Sequence, residues 1–194
     1  MNHPKLGSNI TVEPIRKLEH IELIKKVISN DKRNLLLFTL GINNGLRAGD
    51  ILQLKVKDVR HLKSGEIFSL IEQKTKKKNI LMINKSVYKA LHSYLDDRKP
   101  DDNDYLFKSK KGDNQPLSVS SVNGMIKGWC KSIGLKGNYG THSMRKTWGY
   151  IQRTKFGVGF EVISKRFNHS SPTITMRYIC VENREVSNIL MNEI

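Results

Sequence analysis

The sequence predicts an α+β domain, mainly α-helical, with one small antiparallel β-sheet. Apolar residues recur at helical spacing through most of the 194 residues, the pattern of helices that bury one face. Two neighbouring segments break that period: EIFSLIEQ (66–73) and NILMIN (79–84) are dense in β-branched and apolar residues and flank the basic run KTKKK. Such a pair reads as two strands joined by a turn, a short hairpin. A chain of this length is enough for one domain with a sizeable core.

Residues 1–12 have no apolar period and read as a flexible lead-in. Leu18, Ile21, Ile24, Val27 and Ile28 then define a helix over 14–29. A second helix runs from Asp31 to Asn44, and Gly45 supplies a left-handed stop. A helix restarts at 47–54, which puts Arg47 at a tight junction. Beyond the hairpin, SVYKALHSYLDD returns to helical spacing, and the acidic DDRKPDDND (96–104) forms an exposed connection to a short YLF strand. Helices are expected at about 119–133, 142–155, 160–168, 172–180 and 185–192, linked by short turns. In the last of these, Val186, Ile189, Leu190 and Ile194 make an amphipathic tail over 185–194. Neither internal repeats nor low-complexity tracts occur beyond the lysine cluster.

Lys and Arg number 34 against 18 Asp and Glu, a formal charge of +16. A polyanion is the natural partner, and nucleic acid leads, because surplus Lys and Arg release counterions when they neutralise phosphates. Cys130 and Cys180 lie far apart with no CxxC, which excludes a disulfide framework or a zinc cluster and leaves them as reduced core residues. The start, MNHPKLGSNI, lacks the apolar stretch of a signal peptide, and LLLFTLGI is far short of a membrane span. A cytoplasmic protein without membrane contact is expected.

In THSMRKTWGY (141–150), at about 100° per residue, Met144, Trp148 and Ile151 form one stripe of a helix. His142, Arg145, Gly149 and Gln152 form another, so the helix should pack with one face and present the other. His142 alone reads as a cap or a satisfied buried residue. With Arg145 three residues on, two cationic donors can reach one phosphate. In RFNHSSPTITMRYICVE, His169 precedes a helix whose start is marked by Ser171 as N-cap and Pro172 at its first position. Tyr178 lies in that helix, four residues after Ile174, either as an inward packing residue or as a reactive phenol. A phenol with an ordinary pKa of about 10 needs nearby cations to act as a nucleophile.

Arg47 in NNGLRAGDILQLKVKDV, Lys74 in IEQKTKKKN, His142 and Arg145 in THSMRKT, His169 in NHSS and Tyr178 nine residues later resemble, in order and spacing, the catalytic domain of the tyrosine recombinases, the phage-type integrases. The resemblance runs from about residue 14 to 185. Each fragment alone is common, but six residue types coinciding in one order on elements of matching kind is specific.

The resemblance implies that fold over 13–184, with the family's usual N-terminal core-binding domain absent, and site-specific DNA cleavage and rejoining through a 3′-phosphotyrosyl intermediate. Tyr178 would be the nucleophile. Arg47 and Arg145 would hold the non-bridging phosphate oxygens, His142 would assist proton transfer at the tyrosine, and His169 would donate to a phosphate oxygen. Lys74 would protonate the departing 5′-oxygen, although Lys76, Lys77 and Lys78 share its turn. Asp50 would support Arg47 or a neighbour, or merely form a surface ion pair. Neither cofactor nor metal is expected, since no carboxylate cluster resembles a magnesium site. Partners would be double-stranded DNA and further protomers assembled on it, the isolated chain being monomeric or weakly associating. Phe167-Asn168 stands where the family usually has Leu-Gly, which bears on the loop before His169. Two alternatives stay open: a type IB topoisomerase-like nicking and closing enzyme, and a non-catalytic DNA-binding module of the same fold.

Overall fold

In the computed structural model, which describes residues 12–181 and Met191, an extended entry leads into α1 (Leu18–Val27) and then α2 (Lys32–Asn44). The Asp31 carboxylate caps α2 by accepting from the Asn34 N–H at 3.0 Å. Gly45 ends it at φ 61°, a left-handed conformation that a Cβ would strain. The chain turns through Arg47 into α3 (Ala48–Leu52) and α4 (Val56–Val59). Strands β1 (Ile67–Ile71) and β2 (Lys78–Met82) pair antiparallel, with Ile67 opposite Met82 and Ile71 opposite Lys78. Five helices follow among the described residues: α5 (Lys85–Arg98), α6 (Val119–Ser132), α7 (Thr141–Thr154), α8 (Phe160–Phe167) and α9 (Pro172–Tyr178).

Helix α7 is the centre of the packing. It lies on α2, α6 and α8, while α8 lies on α9. At Gly41 the α2 backbone meets α7 so closely that a Cβ would stand 2.5 Å from Met144 Sδ. Met144 belongs to the main core with Leu36, Phe38, Ile51, Leu81, Leu91 and Ile126. Each such side chain contributes roughly 1.5–3 kcal/mol by leaving water. A smaller core of Ile163, Phe167 and Ile179 forms on the other side of α7, with Trp148 and Tyr178 packed at its edge. The expected sites are carried where these two cores meet.

Several expectations change. The first helix begins at Leu18 rather than 14, because Ile15 is buried and its N–H donates to Thr147 Oγ1 at 2.7 Å, which ties the entry to α7 in extended form. Ile21, Ile24 and Ile28 face the core, whereas Leu18 and Val27 are exposed. The YLF segment does not join the sheet. Tyr105 makes an isolated bridge with Lys55, and the Leu106 N–H donates to the Leu54 carbonyl at 2.8 Å, clasping the α3–α4 joint. The face that α7 was expected to present is only partly open: His142 is exposed and Gln152 half-buried, but Arg145 and Gly149 of the same stripe are buried, with Thr141, Ser143, Met144, Lys146 and Thr147, because α8 and α9 cover what α2 and α6 leave. Cys130 is a core residue as expected, but Cys180 is only half-buried, at φ 57°. Apart from Met191, the tail expected at 185–194 lies outside the described residues. No helix among those described is long and apolar enough to cross a membrane.

Candidate active site

The start of α7 is set by a close contact. Gly140 is extended at φ −173°, and a Cβ there would lie 2.1 Å from Asn123 Oδ1, the atom that accepts the Thr141 N–H at 3.2 Å. This fixes the first turn, which carries His142 and, one turn on, Arg145. The Arg145 side chain is only 2% exposed. It donates through Nη1 to the Gly45 carbonyl at 2.6 Å and through Nη2 to the Phe167 carbonyl at 2.7 Å, with the guanidinium 4.3 Å from the centre of the Phe167 ring. Burial pulls its pKa down to about 10 and Arg47 adds to this, while Tyr178 and Glu72 oppose it. Arg145 is therefore cationic at neutral pH and held rigidly between α2 and α8.

Ser171 and Pro172 start α9 as expected: the Ser171 hydroxyl accepts from the Ile174 N–H at 3.3 Å. Ile174 is exposed and Thr175 is the buried member of the helix, so Ile174 and Tyr178 do not form the inward stripe of the packing alternative. Tyr178 instead closes the helix with its ring 5.5 Å from that of Phe167 and 5.1 Å from that of His169. Its hydroxyl lies 3.1 Å from His142 Nδ1. Lys146, buried in α7, places Nζ 4.9 Å from the centre of the same ring. Burial raises the phenol's pKa above its ordinary value, and Arg145 and Arg47 oppose that rise.

Both histidines are biased towards the neutral form. The His142 cation is disfavoured first by desolvation in the cleft wall, then by the charges of Arg145, Lys146, Arg47 and Lys74. His169 is pushed down to about 4, by desolvation first and then by Arg145 and Arg47. His169 Nδ1 lies 2.9 Å from the hydroxyl of Thr175. A hydroxyl donating to Nδ1 leaves Nε2 carrying the proton, free to donate. Asn168 before it takes φ 54° and caps α8, a conformation asparagine tolerates better than most residues. Asn168 thus supplies the left-handed residue that a glycine would otherwise provide at this turn.

Arg47 Nη1 lies 2.6 Å from Glu72 Oε2, and Glu72 is fully buried. Burial alone would raise the Glu72 carboxyl, but hydrogen bonds from Thr75 and Asn79 and the charge of Arg47 outweigh it and hold the pKa below the ordinary range. Asp50 is buried rather than part of a surface ion pair. Its Oδ1 accepts from the Gln73 N–H at 2.8 Å, while Oδ2 is buried with no hydrogen-bond partner. Asp50 thus holds the turn beside Lys74, and Arg47 takes Glu72. Lys74 lines a cleft of about 190 Å³ together with Arg47, Asp50, His142 and Arg145. Lys78 belongs to β2, and Lys76 and Lys77 do not line the cleft.

The structure therefore brings Arg47, Asp50, Lys74, His142 and Arg145 to one cleft, with Tyr178 at its wall through His142 and His169 behind the tyrosine. The arrangement can hold an anion between cations while a neutral imidazole accepts a phenolic proton. Sequence reasoning missed Glu72, Lys146 and Thr175, and marked Phe167 for its loop but not for the ring on which Arg145, His169 and Tyr178 pack. Of these four, only Glu72 had an available signal for its role, a carboxylate inside the strand-like run LIEQ. The other three have none, since each matters through a contact made across elements.

The chain matches the Phage integrase family over residues 14–185. It is 40% identical over 174 residues to the probable integrase/recombinase YoeC of Bacillus subtilis (strain 168), a match covering 88% of this chain and 91% of YoeC. Tyrosine recombinase XerA of Pyrococcus horikoshii is 28% identical over 167 residues, 84% of this chain but 56% of XerA, so the chain spans little more than half of that relative. Among solved structures, a XerA recombinase superposes with a TM-score of 0.76 at 26% identity, over 94% of this chain and 67% of that one. Sequence and fold agree: the chain belongs to the phage integrase family, the tyrosine recombinases.

Proposed function

We propose that the protein is a site-specific DNA recombinase of the integrase type, which cleaves and rejoins DNA through a 3′-phosphotyrosyl intermediate without a metal. The observation that carries this reading is the Tyr178 hydroxyl at 3.1 Å from a histidine whose cation is disfavoured, beside a cleft lined by Arg47, Lys74 and Arg145. DNA binding alone needs lysines and arginines but no phenol held against an acceptor.

In this mechanism the Tyr178 oxygen attacks a backbone phosphorus as His142 takes its proton. Arg47 and Arg145 hold the non-bridging oxygens as charge builds in the pentavalent transition state, and His169 donates to one of them through Nε2. The bond to the 5′-oxygen breaks, and Lys74 gives that oxygen a proton, because the alkoxide is too basic to leave readily unassisted. The product is a 3′-phosphotyrosine and a free 5′-hydroxyl. Attack by a 5′-hydroxyl of the partner strand reverses each step and releases Tyr178. Asp50 steadies the turn that carries Lys74.

The same proposal has the protein act on DNA in the cytoplasm. The +16 charge opposes self-association in the absence of a polyanion, so protomers assemble on DNA from a monomeric or weakly associating chain. The test is incubation with nicked suicide DNA duplexes in excess EDTA, read on a denaturing gel. A covalent protein–DNA adduct is expected, and its absence on every attachment-site substrate tried with folded protein would sink the proposal. Two-site substrates then separate recombination, which yields new junctions, from nicking and closing, which does not.

A further inference from the structure

Arg166 stands in α8 one residue before Phe167, and every nitrogen of its guanidinium donates a hydrogen bond. Nε and Nη2 donate to the Asn44 carbonyl at 3.0 and 2.6 Å, Nη2 also donates to the Ile80 carbonyl at 2.8 Å, and Nη1 donates to Asn79 Oδ1 at 2.6 Å. Asn79 passes the connection on, since its Nδ2 donates to Glu72 Oε1 at 2.8 Å. The other oxygen of Glu72 holds Arg47 Nη1 at 2.6 Å. Four side chains from α8, β2, the hairpin turn and the α2–α3 junction are thus joined in series, by hydrogen bonds from Arg166 through Asn79 to Glu72 and by an ion pair from Glu72 to Arg47, whose Nη1 is buried with no hydrogen-bond partner.

The series closes on itself. Asn44, whose carbonyl Arg166 grips, is bonded to Gly45, whose carbonyl holds Arg145. Phe167, bonded to Arg166, holds the other arm of Arg145. Arg166 is therefore the point from which both cleft arginines take their positions: Arg145 through the backbone on either side of it, and Arg47 through Asn79 and Glu72. Glu72 is the sole carboxylate on this path, and with no exposure it has no water to replace a lost donor.

We propose that Arg166 is a positioning residue for DNA cleavage, acting through Asn79 and Glu72 to hold the Arg47 guanidinium where it meets the phosphate. The proposal rests on the cleavage role assigned to Arg47 above. Arg166 touches no reacting atom. Its effect is on orientation, and a displacement of order 1 Å in a transition-state donor costs up to about 10²-fold in rate.

The experiment measures the rate of adduct formation at saturating suicide DNA, alongside the Kd for the same duplex and the melting curve, in the full chain. Arg166→Met is expected to slow cleavage by at least about tenfold while Kd changes far less. Asn79→Leu, close in volume and neutral, breaks the same series at one link and carries the test should Arg166→Met fail to fold. The discriminating measurement is a double-mutant cycle with Arg47→Ala. If the series acts through Arg47, adding Asn79→Leu to Arg47→Ala costs little more, within roughly threefold, whereas independent effects multiply; Arg166→Met, which also frees the backbone on either side of Arg145, keeps part of its cost in that background. Multiplying losses, or an Asn79→Leu protein that cleaves at the wild-type rate, overturns the inference and leaves the proposed function standing. A wild-type chain that forms no adduct removes both.

Discussion

His142 Nδ1 and the hydroxyl of Tyr178, 36 residues apart in the chain, stand 3.1 Å from each other. Two short connections make this possible: α8 turns back on α7 across 155–159, and the Asn168 cap reverses the chain into α9. Phe167 is the spacer on which the assembly rests, touching Arg145, Trp148, His169 and Tyr178 with one ring.

Removing the phenolic oxygen alone should leave that packing intact. Tyr178→Phe is expected to bind the DNA duplex with nearly wild-type affinity and to melt within about 1 kcal/mol of it, because one exposed hydrogen bond is lost and no cavity forms. It should form no covalent adduct on a denaturing gel. An adduct that persists in this variant would reassign the nucleophile.

Acid should act on both histidines, with distinguishable readouts. Protonating His142 removes the acceptor for the Tyr178 proton, so the cleavage rate should fall as pH drops, with a midpoint below the ordinary histidine value of 6.5. His169 contributes to stability. Its folded pKa is depressed to about 4 from 6.5, so between those values the unfolded chain takes up a proton that the folded chain refuses. Stability must then decline as pH falls through that window. Melting temperature against pH should show this slope, and His169→Gln should flatten it.

Arg145→Ala should lose on two counts. A missing transition-state donor costs about 3 kcal/mol or more, roughly 10²-fold in cleavage rate. Truncation also strips the Gly45 and Phe167 carbonyls of their donors, each worth about 1–3 kcal/mol when buried and unpaired. The variant should therefore melt well below wild type as well as cleave slowly. A rate loss of only a few-fold in folded protein would leave Arg145 a structural residue.

The helical period and the two apolar runs gave most of the fold, because each element buries a face that its own sequence marks. Ser171-Pro172 and Gly45 were legible for the same reason, being local signals satisfied within a few residues. What escaped was set by contacts between distant segments. The extended entry at 12–17 depends on Ile15 reaching Thr147, which overrides a helical pattern. Burial of Arg145 depends on α8 covering α7. In the site, four of the six residues carried by the family resemblance, Arg47, Lys74, His142 and Arg145, line one cleft and Tyr178 meets it through His142, but Glu72 was passed over because its value lies in Arg47 and Asn79, at separations that no periodicity encodes.

Lys74 is distinguished from the neighbouring lysines by the cleft it lines. If it protonates the departing 5′-oxygen, Lys74→Ala should cleave an ordinary duplex poorly and a 5′-phosphorothiolate duplex at close to the wild-type rate, since a thiolate leaves without a proton. Lys76→Ala should cleave the ordinary duplex nearly normally, because Lys76 points its turn at φ 55° without reaching the cleft lining. Rescue of Lys76→Ala, with none for Lys74→Ala, would move the role along the turn.

The most stringent packing contact near the tyrosine lies at Gly149, one turn beyond Arg145. A Cβ there would stand 2.8 Å from Ile179 Cγ2 and 2.8 Å from Phe167 Cζ. Ile179 follows Tyr178 directly, and Phe167 carries the ring on which Tyr178 rests. In an open helix, glycine to alanine gains roughly 1 kcal/mol from propensity. Here both neighbours are fully buried, so neither can swing aside, and the added methyl must push α9 off α7. Gly149→Ala should therefore destabilise the fold despite its helix propensity, and the residual folded protein should cleave more slowly because the Tyr178 oxygen is drawn away from His142. Duplex affinity should change little, since the added methyl is buried between α7 and α9 and alters no charge. Melting curves and single-turnover cleavage together test this: a variant more stable than wild type that cleaves at full rate would show that α9 tolerates displacement and that its seat on α7 does not set the position of Tyr178.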